Sequence, residues 1–433
     1  MTMQRRRSSH RLIAVAALTA GAIVTAGCSG TPSGDESAGT LSVLIAAPQE
    51  GAGKILQEEF ESTHDDVEVD VEVVPYDQIQ SKVTLDAQSG TGAYDVIQYW
   101  YPTVGALAEA GALADITDWV EGDEDIDRPD FIDAVYQPYT QYDGKTYGLP
   151  IDGDTHVLFY NKEIFERNGV EVPTTWEEYA DVARTITENE SADGVYGTAL
   201  LGSKSAFNIG SSFFNRLATM SSDPIDSALP QLDSDVAVEA AQAMLDVSEY
   251  ALPSPLEIGF EQALPQFLAG KVGMMEFWTD LGVFAQDTEQ SQIVDGWGVA
   301  PLPLGPEGSV SGALNAGWAM GISPNAADED LAKEFVSFAS SAETNEMLIT
   351  TTGSGIDPTR TSTLESADYA ELVPEVAEVN AQVLPNAQSW PTSPAAPEMI
   401  QVLGDNLALM LQGNLSAEEA VSKTWDAWQP LAE

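Results

Sequence analysis

The 433-residue chain carries 69 acidic residues against 17 basic ones, a net charge of −52 at neutral pH, with 43 % hydrophobic residues and one cysteine. A nucleic-acid partner is excluded, because neutralising phosphates needs a Lys/Arg surface; internal disulfides and cysteine-built zinc sites are excluded by the lone thiol. The apolar content is enough for two or three domains.

Arg5, Arg6, Arg7 and Arg11 form a basic leader, followed by 13 mostly apolar residues from Leu12 to Val24. That run is too short to span a bilayer and suits a secretory leader. Ala26 and Gly27 then precede Cys28, which resembles the bacterial lipobox, with Thr25 where Leu is usual. The reading is a signal peptide over residues 1–27, lipidation at Cys28, and a polar flexible tether over 28–40, "SGTPSGDESAGT". It predicts a protein held by a lipid anchor on the extracellular face of the cell membrane.

"LSVLIAA" from Leu41 reads as a strand, Gly51 and Gly53 as a turn, and Ile55, Leu56 and Phe60 as helix-period positions. "VEVDVEVV" at 67–74 alternates Val with acid, so one of its faces is wet. A helix over 78–88 leads to a third strand, "YDVIQYW". Strand, helix, strand, helix, strand at this spacing predicts an α/β lobe with a parallel sheet. "YGLPIDGDTHVLFYN" reads as two strand pieces around a Gly/Asp break. Thr175 with Glu178, and Ser416 with Glu419, have capping-box spacing at helix starts. Further helices are expected near 234–250, 258–269, 328–340, 397–412 and 416–428, and a Pro/Gly-rich loop at 299–312.

Several motifs fail on spacing. In "PQEGAGKI", Pro48 occupies the first glycine of a P-loop and Ile55 the magnesium-holding Ser/Thr. "DEDIDRPDFIDA" starts like a calcium loop, but Arg128 stands where Gly is required and Ala134 where the bidentate Glu belongs. No Gly-x-Ser-x-Gly elbow occurs. No metal and no cofactor is expected. Asp152 and Asp154 would share one face of a strand end, a spacing that leaves open a glycosidase carboxylate pair.

The blocks "DVIQYW", "GALADIT", "GKTYGLPIDGDTHVLFYNKEIFERNGVEVPTTWEEY", "FLAGKVGMMEFW", "WGVAPLPLGPEG", "GWAMGISPNAADEDLAKEFVSFASSAETN" and "LSAEEAVSKTWDAW" follow one another along nearly the whole chain. In that order they resemble the extracellular solute-binding proteins of ABC importers, the family that includes maltose-binding protein. The resemblance implies a two-lobed α/β fold of the periplasmic-binding type, with ligand between lobes joined by crossing strands. One lobe would hold residues 41–152 and 315–360, the other 153–314 and 361–433; "LPIDGDTH" and "GALNAGWAM" would be crossings. It further implies a monomeric receptor that is no enzyme, binds a carbohydrate or polyol, and delivers it to the transmembrane subunits of an ABC permease.

Sugar sites combine aromatic platforms with carboxylates and amides. Carried over from the family, Tyr99 and Trp278 fall on platforms, Gln49 and Glu50 on a polar pair after the first strand, and Asp154 on a carboxylate at the first crossing. The family's polar pair is an acid and a lysine, and positive charge is absent here. Trp100, at the carboxyl edge of its strand, and Asp152, Trp318, Arg360 and Trp390, by loop position, complete the expected ligand-binding set. Two alternatives stand beside the sugar receptor: the glycosidase, and a receptor whose Glu50, Asp152, Asp154 and Glu276 cage a cationic solute such as a polyamine or quaternary amine. Trp176, Trp425 and Trp428 sit at helical spacing and are expected in cores.

Overall fold

A computed structural model describes residues 39–221, 225, 228–305 and 313–432. The leader, Cys28 and the tether up to residue 38 lie outside them. Among the described residues no helix is long and apolar enough to cross a membrane.

Nine strands build the two main sheets: β1 (Gly39–Ala46), β2 (Val67–Val74), β3 (Val96–Trp100), β4 (Leu149–Asp152), β5 (His156–Asn161), β6 (Tyr196–Thr198), β7 (Val272–Trp278), β8 (Trp297–Ala300) and β9 (Trp318–Ile322). Their order is β2-β1-β3-β9-β4 in one sheet and β8-β5-β7-β6 in the other. Each sheet is the floor of one lobe.

In the first sheet β1 pairs parallel with both β2 and β3, as the alternation of strands and helices predicts. β9 enters antiparallel between β3 and β4. The Val/acid alternation of β2 follows from its place at the edge, where Val69 and Val74 are buried and the acids face water. In the second sheet β7 lies between β5 and β6 and all seven of its residues are buried, so no polar alternation marks it. The two capping boxes form as expected, on the helices Trp176–Glu190 and Ala417–Trp428. Trp176 and Trp428 are buried and Trp425 is partly so. The helix expected to follow a turn at Gly51 instead starts at Glu50 and runs to Thr63.

The chain passes between the lobes at 152–156 and again at 313–318. These passes lie side by side: Thr155 bridges Asn315, and the Ala316 N–H donates to the Asp154 carbonyl at 3.0 Å. A third segment, which the sequence did not signal, joins them where the Asn315 N–H donates to the Gln388 carbonyl at 2.7 Å and the Gln388 N–H to that of Ala313 at 2.8 Å. Glycines permit this contact. A Cβ on Gly317 would sit 1.9 Å from the Asp152 carbonyl oxygen, and one on Gly153 1.9 Å from that of Pro358.

Gly317→Ala is therefore expected to force the two passes apart and lower stability by about 1–3 kcal/mol or more. A urea melt of the ligand-free protein measures it; an unchanged midpoint would show that the passes yield freely.

Candidate functional site

The passes bring strand ends and helix starts from both lobes to one cavity. Its walls enclose about 530 Å³ of atom-free space, part of it open to solvent. From the first sheet's side come Gln49, after β1, Tyr76, at the start of the helix Tyr76–Ser89, Asp152, at the end of β4, and Trp318, at the start of β9. From the second come Trp278, which ends β7, Asp280 just beyond it, and Phe207 and Phe260 in the first turns of two helices. Asp154 and Ala316 enter from the passes themselves.

The aromatic wall is composite. Trp278 lies stacked on Phe207, with ring centroids 5.1 Å apart and planes 13° from parallel, and edge-on to Phe260 at 5.5 Å. One of its faces is thus already covered. Among the described residues no ring packs on Trp318, which is 5 % exposed and borders the cavity.

The polar end is dominated by carboxylates. Asp152 accepts from Gln49 Nε2 at 2.6 Å and from the Asp357 N–H at 2.9 Å. Asp154 accepts from the Thr279 N–H and Oγ1, each at 3.2 Å. Oxygens of Asp152, Asp154 and Asp357 lie within 4.8 Å of one another. Asp280 and Asp357 each keep one buried carboxylate oxygen without a partner. Burial pushes all four acids up, and for Asp152, Asp154 and Asp280 the charge of neighbouring carboxylates adds to it; Asp357 reaches about 6. Asp154 and Asp357 face each other closely enough to share a proton. Behind Trp278, burial lowers His156 to about 4, so it is neutral.

Of the residues expected from the sequence, Gln49, Asp152, Asp154, Trp278 and Trp318 meet at this cavity. The structure places the other five elsewhere. Glu50 faces solvent and pairs with Lys54 across one helical turn. Tyr99 and Trp100 are adjacent on β3, so they project to opposite sides of the sheet. Tyr99 is fully buried and donates to the Tyr139 carbonyl at 2.9 Å. Trp100 packs edge-on against Phe207 and Trp390 and lines a separate groove beyond Phe207. Trp390 is wholly buried between Trp100 and Phe214. Arg360 is tied down by the carbonyls of Ser340 and Ile126, at 2.8 and 2.9 Å, and lies over the Phe131 ring. Glu276, counted among the acids of the cation cage, is absent from the cavity lining and is buried against Arg216, whose guanidinium packs over Trp176. Asp280, Asp357, Tyr76, Phe207 and Phe260 were missed. Asp280 had a signal: two residues beyond Trp278 in "MEFWTD", it comes within reach of the same strand end.

The Asp357 shift raises the folded-state value, so the protonated acid stabilises the fold fully below the unfolded value near 4, and that contribution is lost as pH rises through about 6. Asp357→Asn should be nearly neutral at pH 4 and stabilise the ligand-free protein by ~2 kcal/mol at pH 8. The opposite pH trend from His156 is common to both proteins and cancels. Paired urea melts at the two pH values check this, and a gain that shrinks toward pH 8 contradicts it.

A family model described as bacterial extracellular solute-binding protein matches residues 46–346. The chain is 22 % identical over 355 residues to a Sinorhizobium fredii protein whose name reads probable amino-acid ABC transporter periplasmic-binding protein, covering 80 % of this chain and 78 % of that one. It is 25 % identical to a mannitol-binding protein of Pseudomonas aeruginosa, covering 73 % and 72 %. It spans 65 % of the length of a Brucella suis binding protein that it matches at 28 % identity over 63 % of this chain. Among solved structures, maltose-bound MalE3 of T. maritima superposes with a TM-score of 0.81 at 23 % identity, over 90 % of this chain and 99 % of that one.

Proposed function

The chain belongs to the bacterial extracellular solute-binding proteins, and we propose that it is a receptor that closes its lobes on a small polyhydroxylated solute, a sugar or polyol, and delivers it to an ABC permease. The observation that carries this reading is the cavity itself: ring faces and acceptor carboxylates converge on it from both sheets. Sugar rings and polyol chains present C–H surface edged by hydroxyls, which suits that pairing. A ligand touching both lobes favours the closed form by its extra contacts there. The mannitol and maltose ligands of the similar proteins support the class. The amino-acid name of the Sinorhizobium protein fits less well, because an α-carboxylate would meet four acids and, among the described lining residues, no Lys or Arg.

The receptor performs no turnover in this reading. Asp152 and Asp154 are crowded together with Asp357, each bonded to main-chain or side-chain donors. A glycosidase instead holds its two carboxyls about 5 Å or more apart across a bond to be cut. Steady release of reducing sugar, abolished by Asp154→Asn, would sink the receptor reading. Lipidation at Cys28 would hold the domain beside its permease. Cys28→Ser should release a folded, binding-competent protein to the medium, and retention in salt-washed membranes would disprove the anchor.

Trp318, a cavity ring with no other ring packed on it among the described residues, supplies the second test. A third of a tryptophan's area on ligand contributes about 1–2 kcal/mol, so Trp318→Ala should weaken binding about tenfold. Trp390→Ala should leave affinity unchanged and cost about 3–5 kcal/mol of stability. Calorimetric titration after a panel of sugars and polyols has been screened by thermal shift, paired with denaturant melts, separates the two; a Trp318→Ala protein that binds as the parent does removes the platform.

A further inference from the structure

The acidic end of the cavity exceeds what a neutral sugar can satisfy. Asp152, Asp154 and Asp280 line it and Asp357 stands directly behind, all at least nine-tenths buried. The unpartnered Oδ1 of Asp280 belongs to a side chain on the cavity wall, and Oδ2 of Asp357 is also unpartnered. Hydroxyls bring donors but no charge, so on closing over a neutral polyol, in a site drained of water, these acids avoid facing like charges only by holding protons against their ordinary ionisation. The protein supplies no remedy: Arg216 is committed to Glu276, and Arg360 to main-chain carbonyls outside the cavity.

From this geometry we infer that the solute carries a protonated amine among its hydroxyls, as an amino sugar or amino polyol does, with the ammonium seated between Asp152, Asp154 and Asp280. The inference rests on the reading of the cavity as the solute site and narrows its ligand class. An ammonium offers three donors and a full charge to acceptors that lack both. The rings of Trp318 and Tyr76 add faces that attract a cation. A bare divalent ion is served less well, since calcium takes six to eight oxygens and much of this wall is aromatic.

The test uses the complete receptor and matched ligand pairs, beginning with glucitol and glucamine and with glucose and glucosamine, extended to other hexoses, hexitols and cyclitols with their amino counterparts. Spermidine and calcium chloride are controls. Within a pair that binds, the amine should be at least about tenfold tighter by calorimetry, and Asp280→Asn should shrink that ratio, costing the amine more affinity than its neutral partner. The parent protein's pair ratios stand alone if the variant fails to fold. Neutral members bound as tightly as their amines overturn the inference and leave the sugar receptor intact. So does stabilisation by calcium with no amine preference, which would mark a metal site, and so does spermidine bound more tightly than any hydroxylated amine. If no sugar or polyol, amino or neutral, binds, the carbohydrate reading falls and this inference with it.

Discussion

The side-by-side contact of the two chain passes is the constraint on which the site depends. Their backbones lie so close that Gly317 has no room for a Cβ against the Asp152 carbonyl, and the Ala316–Asp154 main-chain bond and the Thr155–Asn315 bridge fix their register. With the register fixed, β4 ends and β9 begins at the same level: Asp152 is paired with Trp318 across the two strands. An acceptor and a ring face are thereby delivered to one point by the same few bonds that join the lobes. The passes and the cavity share residues, so in the proposed receptor solute contact and lobe movement would act on one element.

Much of this was legible in the sequence, and the limit has a physical form. The strands β1 to β3, the break at Gly153 and the two capping boxes each leave a local signal: an apolar run, a turn residue, a Ser/Thr three residues before Glu. The five expected residues that meet at the cavity sit at strand ends or beside a break, where position along the chain predicts position in space. Expectation and structure part where side-chain direction decides. Tyr99 and Trp100 differ by one residue and therefore by one face of the sheet, which period-2 geometry fixes but composition does not. Phe260 reads as an ordinary helix position and Phe207 lies on a helix, Ala206–Met220, that the sequence did not signal; their place at the cavity depends on how helices dock across a distance no local pattern encodes. Asp357 stands three residues before Arg360 in "GSGIDPTR". Arg360 is expected at the site from its loop position, yet it serves main-chain carbonyls and an aromatic ring, roles that guanidinium geometry fits equally well.

The acids of this protein fall into two populations with different physics. Those on the surface, such as Glu50 beside Lys54, are hydrated, and salt screens them within about 8 Å at physiological ionic strength. They set solubility and the long-range field, which enriches cations near the protein without choosing among them. The four at the cavity are desolvated and crowded together, which pushes each of them toward its protonated form. A group held protonated against its ordinary value is a site where something else can take the proton's place. In the proposed receptor, a solute at Asp152, Asp154 and Asp280 donates to acids that burial drives toward their protonated forms, and it meets Trp278 and Phe207 at the same cavity. Selection and closure would then have one origin, the exchange of held protons for donors on the solute, with the distant surface charge contributing only to how often that exchange is attempted.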